Sequence, residues 1–205
     1  MTDKYLTLVN AEHPIFRPID RRELVCVSED YPDILMERRA AAALRRLLSE
    51  IGSDGEIVPV SGWRSNEEQK QIWADTVAEK GVSFARKYVA LPACSEHETG
   101  LAIDLALKAP EIDFICPDFP QTGICGKFRE RAPYYGFIQR YSMEKEGITG
   151  ISEEPWHFRY VGTPHSLIMV KNGLSLEEYT DRMRKGGRRT LTYRGRMIGK
   201  SEAVR

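Results

Sequence analysis

Leu101-Ala102-Ile103-Asp104-Leu105-Ala106-Leu107 is apolar at every position but one. A short apolar run of this kind reads as a strand buried on both faces. A carboxylate inside such a strand is costly unless it is paired with a cation or holds a metal. Any fold this chain adopts must therefore bring a partner to Asp104. One solution is an arginine. The other is suggested by two nearby kinds of segment: Ser95-Glu96-His97-Glu98-Thr99-Gly100 directly precedes the run, and Glu153-Glu154-Pro155-Trp156-His157 comes later in the chain.

His97 and His157 each offer a neutral ring nitrogen, and Asp104 offers an anionic oxygen. That is the donor set of a catalytic zinc site with a fourth position left open. Two neutral ligands and one anion leave such an ion net positive, so it acts as a Lewis acid and makes water more acidic. An unligated carboxylate then serves as base. Glu153 and Glu154 compete for that role. Glu154 precedes His157 by three residues, which in a regular strand puts the two side chains on opposite faces. A bend at Pro155 is expected to bring them together. Arg64, in Ser61-Gly62-Trp63-Arg64-Ser65, falls at a strand-to-helix junction and is the candidate for stabilising a developing oxyanion. His13 and His165 read as structural. Trp156 reads as wall or core, and Ser95 as a partner for a substrate carboxylate rather than a nucleophile.

The remaining pattern mixes strands and helices without regular alternation, which predicts an α+β domain. Strands are expected at 5–9, 24–28, 57–60, 101–107, 136–141 and 156–161. Helices are expected over 34–51, from Ser65 or Asn66 to about 80, over Lys127–Tyr135 and over Glu177–Lys185. Ser65 and Glu68 have capping-box spacing, and Ser175 is the expected cap of the last helix. Residues 108–128, rich in Pro and Gly, are expected to be an irregular loop beside the site, a candidate substrate wall.

Charge excludes as much as it suggests. Thirty basic and thirty acidic residues cancel, and no recognisable nucleic-acid motif is present, so a nucleic-acid partner is not expected. No apolar run reaches membrane-spanning length, and the N-terminus lacks a signal-peptide core, so the expected location is cytoplasmic without stable membrane insertion. Cys26, Cys94, Cys116 and Cys125 contain no C-x-x-C pair, which argues against a cysteine zinc site. Cys94 reads as a small buried thiol. Reduced Cys116 and Cys125 are favoured over a disulfide in a cytosolic protein. Residues 1–185 are taken as the catalytic domain and 186–205 as a basic C-terminal extension.

The paired patterns S-x-H-x-x-G-x-A-x-D and E-x-W-H resemble the zinc D,D-peptidases linked to vancomycin resistance. The stretches 89–97, 147–152 and 161–166 look like their VanXY branch. The resemblance covers most of residues 5–180. It implies a single small α+β domain with helices packed on a mainly antiparallel sheet, a fold shared with the hedgehog signalling domain. It implies Zn2+ held by His97, Asp104 and His157, with Glu154 rather than Glu153 as the base and Arg64 polarising the scissile carbonyl. Ser95 and Gln69 are implied as substrate contacts. The implied substrates are the D-Ala-D-Ala dipeptide and peptidoglycan precursors ending in it, whose removal gives glycopeptide resistance. Two alternatives stand beside this. One is a murein peptidase of the same fold cutting another stem-peptide bond, such as an L,D-carboxypeptidase or phage endolysin. The other is a zinc-binding module without catalysis.

Overall fold

The computed structural model describes residues 4–186, so the basic extension after Gly186 lies outside the described residues. Four antiparallel strands form the main sheet in the order β3-β4-β6-β5: β3 is Ile57–Ser61, β4 Ala102–Leu107, β5 Phe137–Tyr141 and β6 Glu154–Tyr160. A separate hairpin pairs β1 (Leu24–Ser28) with β2 (Tyr31–Glu37). The helices are α1 (Arg38–Ile51), α2 (Asn66–Lys80), α3 (Val82–Tyr88), α4 (Gly123–Arg131), α5 (Glu146–Thr149), α6 (His165–Lys171) and α7 (Leu176–Lys185). This is the α+β architecture the sequence predicts.

Strand β4 sits between β3 and β6, and its burial follows from that position. Ala102, Ile103, Leu105 and Ala106 are all buried, and so is Asp104. The larger core gathers Leu44 and Leu47 of α1 against Ile103, Leu105, Phe128, Phe137 and Phe158. Phe119, Phe128 and Phe158 meet edge to face, the arrangement favoured by the ring quadrupoles. A smaller cluster packs Met169, Leu176 and Tyr179 against Ile138 and Val161.

The expected helix at 34–51 begins later than its apolar spacing suggested. Leu35 and Met36 belong to β2, opposite Cys26 and Val25. Glu37 ends the strand and starts α1, its carboxylate accepting from the Arg39 and Ala40 amides at 2.8 and 3.1 Å. Ser65 and Glu68 form the predicted capping box of α2, and Ser175 and Glu178 form one for α7. The expected strand at 5–9 is absent: Lys4–Leu6 is a 3-10 turn. Its apolar residues are still buried, but Arg159, rather than a neighbouring strand, donates to the Tyr5 and Thr7 carbonyls at 3.2 and 2.8 Å. The segment 108–128 is irregular only as far as Thr122. Helix α4 starts at Gly123, ahead of the expected Lys127, because Cys125 and Phe128 turn into the core; Ala132–Tyr135 continue it as a 3-10 turn.

Candidate active site

Strand register assembles the site. Asp104 of β4 lies directly opposite His157 of β6, and on its other side opposite Ser61 at the end of β3. His97 arrives from the 3-10 turn Glu96–Thr99 immediately before β4. Gly100 closes that turn at φ +71°, a left-handed conformation natural to glycine. A Cβ there would also stand 2.8 Å from Leu24 Cδ2. Glu98 ties the turn down, accepting from the Ala93 amide at 2.8 Å and from Asn66 Nδ2 at 3.2 Å.

His97, Asp104 and His157 each offer a ligand atom, all within 4.8 Å of one another, and all three residues are buried. His97 Nε2 is 3.1 Å from Asp104 Oδ2, and His157 Nδ1 is 2.8 Å from Asp104 Oδ1. The other His97 nitrogen, Nδ1, lies 2.6 Å from the Gly62 carbonyl. Donation to that carbonyl puts the proton on Nδ1 and leaves the Nε2 lone pair facing Asp104, the second-layer arrangement common to metal-binding histidines. Asp104 also accepts from Arg64 NH2 at 2.9 Å. It therefore has an arginine partner and lies between the two histidines that could share a metal with it.

Glu154 opens β6, and the bend expected at Pro155 is present as a register irregularity. Gln139 faces Phe158, yet two residues on Tyr141 faces Glu154. The slip brings Glu154 Oε2 to 3.8 Å from His157 Nδ1. Glu154 lines the cleft with Arg64, Ser95, His97, Asp104 and His157, whereas Glu153 does not. Arg64 is fixed from three sides: besides Asp104, its Nε donates to Ser61 Oγ at 2.8 Å and NH1 to Gln69 Oε1 at 3.4 Å. Gln69 itself is buried and donates to the Ala90 carbonyl at 2.8 Å, so it stands behind Arg64 rather than on the cleft wall. Phe114 and Ile115, from the 108–122 loop, form part of that wall.

Sequence reasoning missed what lies behind His157. Its Nε2 is 3.6 Å from Glu96 Oε2, and both atoms are buried with no hydrogen-bond partner among the described residues. Glu96 Oε1 is gripped by Arg140 Nε at 2.8 Å and Arg159 NH1 at 2.9 Å. Arg140 also forks onto Glu177 of α7 at 3.0 and 2.5 Å. Tyr141 packs its ring 5.0 Å from that of His157. The available signal was alternation: in Phe137–Tyr141 and Glu154–Tyr160, Arg140 and Arg159 occupy strand positions that a buried sheet leaves apolar unless a carboxylate awaits them.

Titration follows from this crowding. Burial alone would raise the Glu96 carboxyl, but Arg140 and Arg159 outweigh it and hold the group below the usual carboxylate range. Asp104 is held down in the same way, by His97 and His157 against burial. Burial pushes Glu154 up to about 8, with Asp104 and Glu96 adding to the effect against His157 and Arg64. His97 is pushed down to about 4 by burial and by the Arg64 charge. His157 is drawn up to about 9, since Asp104 and Glu96 overcome the cost of burying its cation. A neutral His97 and an ionised Asp104 are the forms that ligate a divalent ion, and ligation by His157 would displace the proton that Asp104 and Glu96 favour there.

His13 and His165 take the structural places expected, at 3.0 Å from Asn10 Oδ1 and 2.7 Å from the Tyr179 hydroxyl. All four cysteines are free; Cys94 is half-buried rather than fully buried. Among the described residues no helix is long and apolar enough to cross a membrane.

Relatives share this arrangement of chain. VanXYC of Enterococcus gallinarum, a bifunctional D-Ala-D-Ala dipeptidase and D-Ala-D-Ala carboxypeptidase, is 41% identical over 177 residues, spanning 86% of this chain and 93% of that protein. The crystal structure of the vancomycin-resistance D,D-dipeptidase VanXYg, in complex with a D-Ala-D-Ala phosphinate analogue, is 53% identical with a TM-score of 0.86, covering 88% of this chain and 72% of that one. A VanY D,D-pentapeptidase from a VanB-type resistance cassette, solved with Zn(II), is 30% identical with a TM-score of 0.69, covering 87% of this chain and 99% of that one. Residues 33–163 match the VanY family of D-alanyl-D-alanine carboxypeptidases, and the chain belongs to that family.

Proposed function

We propose that this enzyme is a zinc-dependent D,D-peptidase of the cytoplasm. It hydrolyses free D-Ala-D-Ala and removes the terminal D-Ala from peptidoglycan precursors that end in the dipeptide, so that a glycopeptide antibiotic loses its target. The observation that carries this reading is the convergence of His97, Asp104 and His157 beside Glu154 and Arg64 in one buried cleft. The likeness to relatives acting on the same dipeptide supports the substrate.

In this reading His97, Asp104 and His157 hold the ion. Zinc held there would supply a Lewis acid, would make a nearby water acidic near neutral pH and, as a dication, would favour the ionised form of Glu154. Glu154 takes a proton from the attacking water and delivers it to the leaving amine. Arg64, held by Ser61 and Gln69, presents its guanidinium to the carbonyl oxygen as charge develops there. Ser95 binds the substrate carboxylate. Phe114 and Ile115 support a role for residues 108–128 in how far the cleft admits longer substrates.

The test is D-alanine release from D-Ala-D-Ala and from a D-Ala-D-Ala-terminated pentapeptide by zinc-loaded enzyme, beside Glu154→Ala. Release from both by the wild type is expected, with a loss of about 10²–10⁴-fold in the variant. The variant should still bind zinc, because Glu154 is not among the ligands. A folded, zinc-loaded wild type that releases D-alanine from neither substrate would overturn the reading.

A further inference from the structure

One short turn serves both candidate histidines. Glu96–Thr99 carries His97, and Glu96, the residue just before it, reaches behind His157. The Glu96 side chain is fully buried and that of His157 is 4% exposed. Arg140 Nε and Arg159 NH1 both approach Glu96 Oε1, at 2.8 and 2.9 Å, while Oε2 faces the imidazole. Oε2 and His157 Nε2 stand 3.6 Å apart, and neither has a hydrogen-bond partner among the described residues. That separation is about 0.6 Å longer than an ordinary N–H···O bond. Two buried polar atoms without partners are costly, and a small turn of the ring or the carboxylate joins them. The other ring nitrogen faces the cleft residues: Nδ1 lies 2.8 Å from Asp104 Oδ1 and 3.8 Å from Glu154 Oε2.

We propose that Glu96 is a positioning residue of the candidate metal site: its carboxylate takes the Nε2 proton of His157 and so keeps Nδ1 unprotonated and aimed at the ion. The inference rests on the zinc reading above and extends it to a residue outside the ligand set. A neutral imidazole has one ring proton, and an acceptor at Nε2 decides where it sits. A half-turn of the ring would exchange Nε2 with Cε1 and Nδ1 with Cδ2, offering carbon where Glu96 and the ion each need nitrogen. A carboxylate behind a ligating ring also makes that ring a stronger base, which tightens its hold on a metal. The arginines set the geometry. They fix the carboxylate through Oε1, and Arg140 is anchored in turn by Glu177 of α7 at 3.0 and 2.5 Å. His97 is served by backbone instead, its Nδ1 lying 2.6 Å from the Gly62 carbonyl. The two candidate ligands thus carry their protons on opposite nitrogens, Nδ1 in His97 and Nε2 in His157.

Zinc affinity from chelator competition and histidine-ring 15N spectra of the zinc-loaded protein test this. The variants are Glu96→Gln, Glu96→Gln with Arg159→Met, which leaves no stranded cation, and Glu177→Gln, which loosens the same ion network without touching His157. Wild-type spectra should show one metal-bound ring protonated at Nδ1 and one at Nε2, the Nε2 proton exchanging slowly with water. Both Glu96 variants should bind zinc about 10–100-fold more weakly and lose that slow proton. Glu177→Gln should lower Tm yet keep the slow proton and a zinc affinity within about twofold of wild type. Two metal-bound rings both protonated at Nδ1 in the wild type overturn the proposal, and this spectrum decides even where a variant fails to fold. Zinc affinity in the folded Glu96 variants within about twofold of wild type overturns it as well. An equal weakening in Glu177→Gln does the same, since general loosening would then account for the loss. A folded wild type that binds no zinc defeats the ligand reading first, which separates the two failures.

Discussion

Replacing Glu96 by Gln removes one negative charge from a place where two arginines depend on it. The side chains of Glu96 and Arg159 are fully buried and that of Arg140 is 1% exposed. Arg140 keeps Glu177, but among the described residues Arg159 keeps only the carbonyls of Tyr5, Thr7 and Tyr160. The buried set changes from two cations with two carboxylates to two cations with one. Breaking a buried pair from one side costs about 3–5 kcal/mol. For a domain of this size that is a fall in Tm of roughly 6–20 °C. Urea unfolding of metal-free wild type and Glu96→Gln at pH 7 measures it. The pH dependence checks the cause. Because the folded-state pKa of Glu96 is depressed, its contribution is present above the unfolded carboxyl pKa and is lost as pH falls through the folded value. The gap between wild type and variant should thus be full at pH 7 and shrink below about pH 4. Adding Arg159→Met to Glu96→Gln should recover part of the loss, since the stranded cation is then gone. A cost under about 1 kcal/mol at pH 7, or no recovery in the double variant, would refute the reasoning.

Four further outcomes follow from the geometry. Gly100→Ala should destabilise by about 1–3 kcal/mol in denaturant unfolding, because the left-handed turn and the close approach of Leu24 both resist a Cβ. Gln69→Leu should lower kcat more than KM while zinc binding holds, since Arg64 loses the amide that positions it; an unchanged kcat in a folded variant would remove Gln69 from the site. Stripping zinc with a chelator should lower Tm, and free zinc at 100 times its Kd should restore about 2.7 kcal/mol. Cys116 and Cys125, whose thiols burial pushes up to about 11, should alkylate slowly at pH 8 and faster with each pH unit toward 11. Labelling at pH 8 as fast as free cysteine would contradict their burial.

The candidate site was legible because its residues break local rules. Asp104 interrupts an apolar strand, and Glu154 and His157 have a spacing that requires a bend. Caps were equally readable, since Ser65–Glu68 and Ser175–Glu178 act through contacts three residues apart. What escaped was set at long range. Leu35 and Met36 fit a helix by spacing and became strand because Val25 and Cys26 were there to pair with. The Glu96–Arg140–Arg159 cluster joins Glu96 to arginines more than forty positions away, and no local pattern names such partners.

The pairing of Asp104 with His157 across β4 and β6 makes the site an all-or-none property of strand alignment. Side chains alternate faces along a strand, so shifting β4 by a single residue would turn Asp104 away from both histidines and present Ile103 or Leu105 in its stead. Such a shift alters no residue and preserves the apolar character of the strand, yet leaves nothing to hold an ion. Insertions and deletions should accordingly sort by position. Between Gly100 and Leu107 a change of one residue should abolish metal binding outright, while length variation in the loop that follows should be absorbed and felt only in which substrates enter. Within this fold, the spacing of the chain is as much a part of the chemistry as the residues it carries.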